Sequence, residues 1–255
     1  MWSGPRTLST ALLRSWGNRA DTAVVDEPLY AHYLAVSGVM HPGHDAIVAS
    51  QPTDWRTVVE RLTAGPVPEG RAIYYQKHMT HHVLADIDRS RLRPLRHAFL
   101  LRDPRDLLTS YARVRTEPTF ADLGLGVQAE LFEQFGGPVI DSRDLLRAPG
   151  PVLRALCDAV GVEFDPAMLS WPAGPRETDG VWAPYWYDTV RASTGFGPPT
   201  DSVPAVPERL EPLLAQCLPF YERLAAHRIR VDATAGARLA EEVPCSSDTT
   251  NATVT

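Results

Sequence analysis

Ser3-Gly4-Pro5-Arg6-Thr7-Leu8-Ser9-Thr10 runs directly into the apolar stretch Ala11-Leu12-Leu13-Arg14-Ser15-Trp16. Turn-forming and hydroxyl residues set against the start of a helix make an anion cradle. First-turn N–H groups lack intrahelical acceptors, and the positive end of the helix dipole lies beside them. Arg6 adds a fixed charge, and Ser9 and Thr10 add hydroxyl donors. A loop for nucleoside triphosphates ends in Gly-Lys-Ser/Thr, whereas Leu8-Ser9-Thr10 stands in that place here. The plainer reading is a Gly-Pro turn whose Ser or Thr caps a helix.

A second segment, His97 to Tyr111, offers matching chemistry. Its apolar run ends in Arg102, Asp103-Pro104 supplies a turn with proline suited to the first helical position, and a helix follows. Arg102 therefore stands at the carboxyl end of a strand, with Ser110 about two helical turns further on. Together they can grip one anionic group from two sides; salt bridges among Asp103, Arg105 and Asp106 are the competing explanation. Thr22 to Tyr30 reads as another buried parallel strand that delivers Asp26 and Glu27 to its carboxyl end, where open α/β sheets bind ligands. A helix N-cap ahead of Pro28 is the alternative for Asp26. Between the two anion segments lies Ala72 to His82, β-prone and ending in Lys77-His78-Met79-Thr80-His81-His82. His81 and His82 raise metal ligation as a competing role, but no Cys or carboxylate follows at ligand spacing.

These residues need a sheet and flanking helices to hold them. Asp54 to Leu62 reads as an amphipathic helix, His41 to Pro52 as a loop and Thr119 to Phe135 as one helix closed by Gly136-Gly137-Pro138. Pro138 to Asp141 reads as a short strand, Pro149 to Val160 as a helix, and Pro207 to His227 as the last helix. Trp171 to Pro199 is rich in Pro, Gly and Trp, and loops of that length are usually functional. Only Met1 and Trp2 precede the first loop, so either the first strand is very short or the natural start lies upstream of this Met1. The Thr-rich stretch 232–255 reads as a flexible tail after one domain spanning 1–231.

Composition narrows the class. A net charge of −6 argues against a nucleic-acid surface, although 25 Lys and Arg leave room for a local positive pocket. Cys157 and Cys217 fall in apolar helices and Cys245 in the polar tail, a reduced, cytoplasmic pattern and not a disulfide framework. No apolar run reaches the length of a membrane span, and no signal peptide is evident.

Taken together, the two anion segments resemble the sulfotransferases that use 3′-phosphoadenosine 5′-phosphosulfate (PAPS). The first is similar to their 5′-phosphosulfate loop, Pro-Lys-Ser-Gly-Thr-Thr in common cytosolic members. Pro5-Arg6-Thr7-Leu8-Ser9-Thr10 matches with Arg for Lys and Leu for Gly, and that glycine allows close approach of an anion and positive φ, which leucine resists. Arg102, Pro104-Arg105-Asp106 and Ser110 are similar to the 3′-phosphate motif. The resemblance implies that His78, on the family's Lys-Thr-His segment, is the catalytic base, and histidine titrates in the range such a base needs. Lys77 would neutralise charge on the bridging oxygen. Bacterial glycolipid and heparan-type members use a glutamate soon after the loop, so Glu27 competes with His78 for the role of base. Val139 to Leu145 with Gly161 to Pro166 resembles a structural stretch of bacterial members. Val190 to Phe196 resembles a reduced form of the late Arg-Lys-Gly phosphate loop, leaving Arg191 as its cation; a glycine turn with a surface arginine explains it equally.

The resemblance covers most of residues 1–197. It implies a three-layer α/β/α fold with a mainly parallel sheet, of the P-loop-like sulfotransferase type, and sulfuryl transfer from PAPS to a small alcohol or amine with no metal. Oligomeric state is not legible, nor is whether sulfation ends the reaction sequence or activates a hydroxyl for a later step. Two other readings stand beside it. A small-molecule kinase shares the fold but lacks Gly-Lys-Ser/Thr and a clear magnesium carboxylate. A catalytically silent binding or partner subunit would explain Leu8 and the curtailed first strand.

Overall fold

In the computed structural model, which describes residues 1–113, 115, 117–199 and 205–231, five parallel strands form one sheet in the order β2-β3-β1-β4-β5. They are β1 (Trp2–Ser3), β2 (Thr22–Asp26), β3 (Ile73–Met79), β4 (Phe99–Leu101) and β5 (Val139–Asp141). β1 is two residues long yet central, with Trp2 beside His78 of β3 and Phe99 of β4. Strand alternation sends successive side chains to opposite faces. Phe99 and Leu101 join one buried cluster with Trp2 and Val139, and Leu100 joins another with Met1 and Ile140. Helices α4 (Trp55–Thr63), α7 (Leu125–Phe135) and α12 (Glu211–Ala225) cover the first face. Helices α1 (Ser9–Gly17), α8 (Ser142–Arg147) and α9 (Pro149–Ala159) cover the second. This is the three-layer α/β/α arrangement.

The helix starts show why the site-bearing turns hold their shape. Asp103 caps α5 (Pro104–Tyr111) by accepting from Arg105 N, with Pro104 in the first turn, as the Asp-Pro pair predicts. Asp141 caps α8 in the same way through Arg143 N. α1 is different: its N-cap is Leu8, in the left-handed region at φ 69°, and no side chain caps it. The Ser/Thr-capped turn that offered a plain reading of this segment is therefore not what forms.

Several boundaries differ from the sequence reading. Within 41–52, residues His44–Ser50 form α3 behind Gly43 at φ 76°. The run 119–135 divides at Gly124, φ 66°, into α6 (Phe120–Leu123) and α7, since a left-handed residue cannot continue a helix. The segment 171–199 contains two single-turn helices, α10 (Ala183–Trp186) and α11 (Asp188–Arg191). The last helix proper begins at Glu211, after a 3₁₀ turn over Glu208–Leu210. α2 (Tyr30–Ser37) has Leu29 as its N-cap with no side-chain bond, so neither Asp26 nor Glu27 caps it. Cys157 and Cys217 are buried free thiols, Cys245 and the stretch 232–255 lie outside the described residues, and no helix among the described residues is long and apolar enough to cross a membrane.

Candidate functional site

The carboxyl ends of β1, β2, β3 and β4 open into a cavity of about 840 Å³. One wall is the loop from Pro5 to Ala11. Thr7 Oγ1 donates to Gly4 O at 2.9 Å, and Ser142 Oγ lies 2.8 Å from Thr7 O and 2.6 Å from Leu101 O, which ties the loop to β4. The Thr7 hydroxyl is thus spent inside the turn. The backbone N–H groups from Arg6 to Ala11 donate to no acceptor among the described residues, and neither hydroxyl of Ser9 and Thr10 has a protein partner there. Orphan donors at a helix start, with positive φ at Arg6 (59°) and Leu8 (69°), form a concave cradle suited to an anion. Leu8 adopts the conformation expected of glycine despite its side chain.

Two cations frame this cradle. Arg102 lines the cavity and donates from Nη1 to Arg6 O at 2.6 Å. Arg6, exposed, donates from Nε to Ser110 Oγ at 3.1 Å. Arg102, Ser110 and the loop therefore meet at one place across the sheet edge. Arg115, which the sequence reading did not select, also lines the cavity and pairs with Asp122 at 3.0 Å. Arg191 does not line it. Its Nε lies 3.9 Å from Asp179, whose carboxylate also pairs with buried Arg14 at 2.7 Å, while the flanking Thr189, Val190 and 192–197 face the cavity. The late loop thus supplies backbone and small side chains to the wall, with its arginine turned to an internal ion pair.

Opposite the cradle, register decides which groups face inward. Asp26 pairs with Lys77 across β2 and β3. Lys77 Nζ, buried, reaches Asp26 Oδ1 at 2.8 Å, Glu27 Oε1 at 2.5 Å and Tyr187 OH at 3.0 Å. Three protons meet three acceptors, so none remains to contact a reacting group as the ammonium stands. Burial works against the Lys77 charge, but Asp26 and Glu27 outweigh it and hold the pKa well above its ordinary value. Burial raises the Glu27 pKa, with Lys77 opposing and Asp26 adding to the rise. Glu27 and Lys77 line the cavity.

His78 is brought elsewhere. As the next residue along β3 it points through the opposite face, 2% exposed, its ring centroid 4.4 Å from that of Trp2 and its Nε2 3.2 Å from Gln76 Oε1. Burial holds it neutral, well below the ordinary histidine pKa. It does not line the cavity, so the geometry gives the position facing the cradle to Glu27. His81 and His82, considered above as metal ligands, instead pack among aromatics: His82 stacks on Tyr30 at 4.5 Å and Tyr33 at 4.8 Å, and His81 lies edge-on to Tyr33. Burial pushes His81 down to about 3 and His82 well below its usual value. Tyr30 OH shares a 2.7 Å hydrogen bond with His41 Nδ1. This end of the cavity is aromatic, with the Glu27–Lys77 pair and the Arg115–Asp122 ion pair as the charges beside its rings.

The sequence is matched over residues 1–228 by the family described as the sulfotransferase domain. Two Arabidopsis thaliana relatives, branched-chain-amino-acid aminotransferase-like proteins 1 and 2, are each 38% identical over 232 residues, 89% of this chain. The chain spans 41% of the length of those relatives. Among solved structures, a sulfotransferase from Alicyclobacillus acidocaldarius shares the fold with a TM-score of 0.51 at 16% identity, over 90% of this chain and 95% of that one. With its family match running through the cradle, the strand ends and the late loop, this chain belongs to the sulfotransferase domain family.

Proposed function

We propose that the protein transfers a sulfuryl group from PAPS to a hydroxyl or amine of a small molecule, with Glu27 as the group that takes the acceptor proton. The observation that carries this reading is the polarity of one cavity: orphan N–H groups and two arginines at one end, a carboxylate held by a lysine at the other. The donor supplies the sulfuryl group and leaves as adenosine 3′,5′-bisphosphate. The N–H groups of Arg6 to Ala11 and the hydroxyls of Ser9 and Thr10 would hold the 5′ end, and Arg102 with Ser110 the 3′-phosphate. Arg6, exposed beside the cradle, is the cation free to stabilise charge as the sulfuryl group moves in line. Lys77 acts through Glu27, fixing its carboxylate and keeping it ionised. A cytoplasmic setting fits Cys157 and Cys217 as free thiols.

The silent-subunit reading drew on Leu8, but Leu8 adopts φ 69° and leaves the cradle's donors open. Calorimetry with adenosine 3′,5′-bisphosphate against ATP and magnesium separates the readings. Binding of the bisphosphate alone supports sulfuryl transfer, magnesium-dependent ATP binding supports a kinase, and binding of neither supports a silent subunit.

A further inference from the structure

Two adjacent carboxylates share one ammonium, and only one of them faces the cavity. Asp26 has a side chain 1% exposed and Glu27 one 10% exposed. What distinguishes their surroundings comes from the other end of the chain. Tyr187, buried, places its hydroxyl 2.5 Å from Asp26 Oδ2 and 3.5 Å from Glu27 Oε1, while Lys77 Nζ and Trp182 Nε1 donate to it at 3.0 and 3.1 Å. A phenol has one proton to give, and the two donations fill its acceptor sites, so geometry directs that proton to the nearer carboxylate, Asp26. Asp26 then receives Lys77 and Tyr187, whereas among the described residues Glu27 has Lys77 as its one close side-chain donor and otherwise opens to the cavity.

The backbone reinforces the difference. Glu27 leaves β2 at φ 42°, a left-handed conformation that is strained in a residue with a Cβ. It is held by Glu27 N donating to Lys77 O at 2.9 Å and by Tyr30 N donating to Glu27 O at 3.0 Å. Trp182, 1% exposed, packs edge-on against Tyr30 at 5.2 Å, so the phenol is clamped between α2 and the segment that also forms the cavity wall from Val190 to Gly197.

We infer that Tyr187 is a positioning residue: it binds Asp26 and Lys77 to each other and leaves Glu27 as the carboxylate that exchanges a proton with the cavity. This rests on the reading of Glu27 as the base. Among the described residues, the charged and titratable groups that act on Glu27 are Asp26 on β2, Lys77 on β3, Tyr30 on α2 and Tyr187 itself, with Tyr75 on β3 beside Lys77 and Asp26. Tyr187→Phe removes a donor from Asp26 and an acceptor from Lys77. Asp26 then repels Glu27 more strongly and draws more on the shared ammonium, so Glu27 should hold its proton to higher pH. Asp26→Asn removes the like charge and frees Lys77 for Glu27, so the carboxyl should lose its proton at lower pH.

The test is carbon NMR titration of the full chain labelled at the glutamate side-chain carboxyl, with Glu27→Gln identifying the resonance. The Tyr187→Phe midpoint should rise by about one pH unit and the Asp26→Asn midpoint fall by about as much. Trp182→Phe, which frees one acceptor site of the phenol, should shift it upward by less. Opposite displacements are not expected from general loosening. Midpoints that stay put, or that move in the same direction in Tyr187→Phe and Asp26→Asn, overturn the assignment. Calorimetry with adenosine 3′,5′-bisphosphate on the same samples judges the transfer reading separately, because the titration needs neither donor nor acceptor.

Discussion

Glu27, Arg6 and Leu8 are three of the four described non-glycine residues with positive φ, and all three line the cavity; the fourth, Glu69, lies on a surface turn. Strain gathered at one site is characteristic of groups held for function at a cost in stability. At Leu8 the cost can be isolated. Leu8→Gly should raise stability by up to about 1 kcal/mol through relief of the left-handed conformation, offset in part by a more flexible unfolded chain. It should leave bisphosphate affinity within about threefold, because the cradle is backbone; a large loss in calorimetry would assign the leucine side chain a binding role. Arg102 carries charge, so Arg102→Ala should weaken the bisphosphate by about 1.5–3 kcal/mol, roughly tenfold to a hundredfold. An unchanged dissociation constant removes it from the 3′-phosphate site. Glu27→Gln should lower turnover of PAPS by roughly 10² to 10⁴ with affinity for the bisphosphate kept, as expected for a general base. His78→Ala should instead lower the melting temperature and leave turnover of the folded protein near normal. The reverse pattern would return the base to His78.

At the scale of elements, Gly124 is exposed to a single change. It separates α6 from α7 at φ 66°, and an added Cβ would collide with Thr80 Oγ1 and lie 2.8 Å from His81 N. Gly124→Ala should destabilise by about 2–4 kcal/mol and displace His81 from the cavity wall. A melting temperature within a degree or two of the parent would show that the junction can relax. The same junction shows what sequence could and could not tell. The run 119–135 carries helical periodicity throughout, and only the packing of Gly124 on the turn after β3 forces the break. The cradle and the strand-turn-helix carrying Arg102 were legible because their signals are local: turn residues, a cap and a proline within a few positions. Lys77 and His78 were not separable, since β3 is buried on both faces and alternation alone does not say which face meets the ligand. Tyr187, 161 positions from its partner Asp26, left no mark except a long Pro-, Gly- and Trp-rich segment, from which Arg191 was the natural but inward-turned choice.

Across the whole molecule, the sheet encloses several histidines in surroundings that keep them neutral. Burial holds His78 and His82 well below the ordinary value, His81 at about 3 and His97 at about 4. They serve both sides of the sheet, His78 and His97 against Trp2, His81 and His82 against the tyrosines of α2. In the unfolded chain each takes up a proton near pH 6.5. Below that point the unfolded state binds more protons than the folded one, so the histidine contribution is complete above about pH 6.5 and is lost as pH falls toward 4 and then 3, while the buried Met1 amino group, lowered from 8.0 to about 5, begins the same loss below about pH 8. Each such histidine withdraws about 1.4 kcal/mol for every unit of pH within its window, against a total stability of about 5–15 kcal/mol. Glu27 acts in the opposite sense, since its folded pKa is raised and folding gains from its proton as pH falls through that value. Asp141, also raised by burial, acts with Glu27, but two carboxyls do not balance these imidazoles and the buried amino group. Thermal melts from pH 8 to pH 5 should therefore decline gently at first, through the buried Met1 amino group, and then fall steeply below about pH 6.5, more steeply than for a variant carrying His97→Gln, which removes one of these titrations. Melts that stay level to pH 5, or that rise on acidification, would mean these rings are already protonated in the fold and that the imidazoles against Trp2 and at the aromatic end of the cavity are not held neutral.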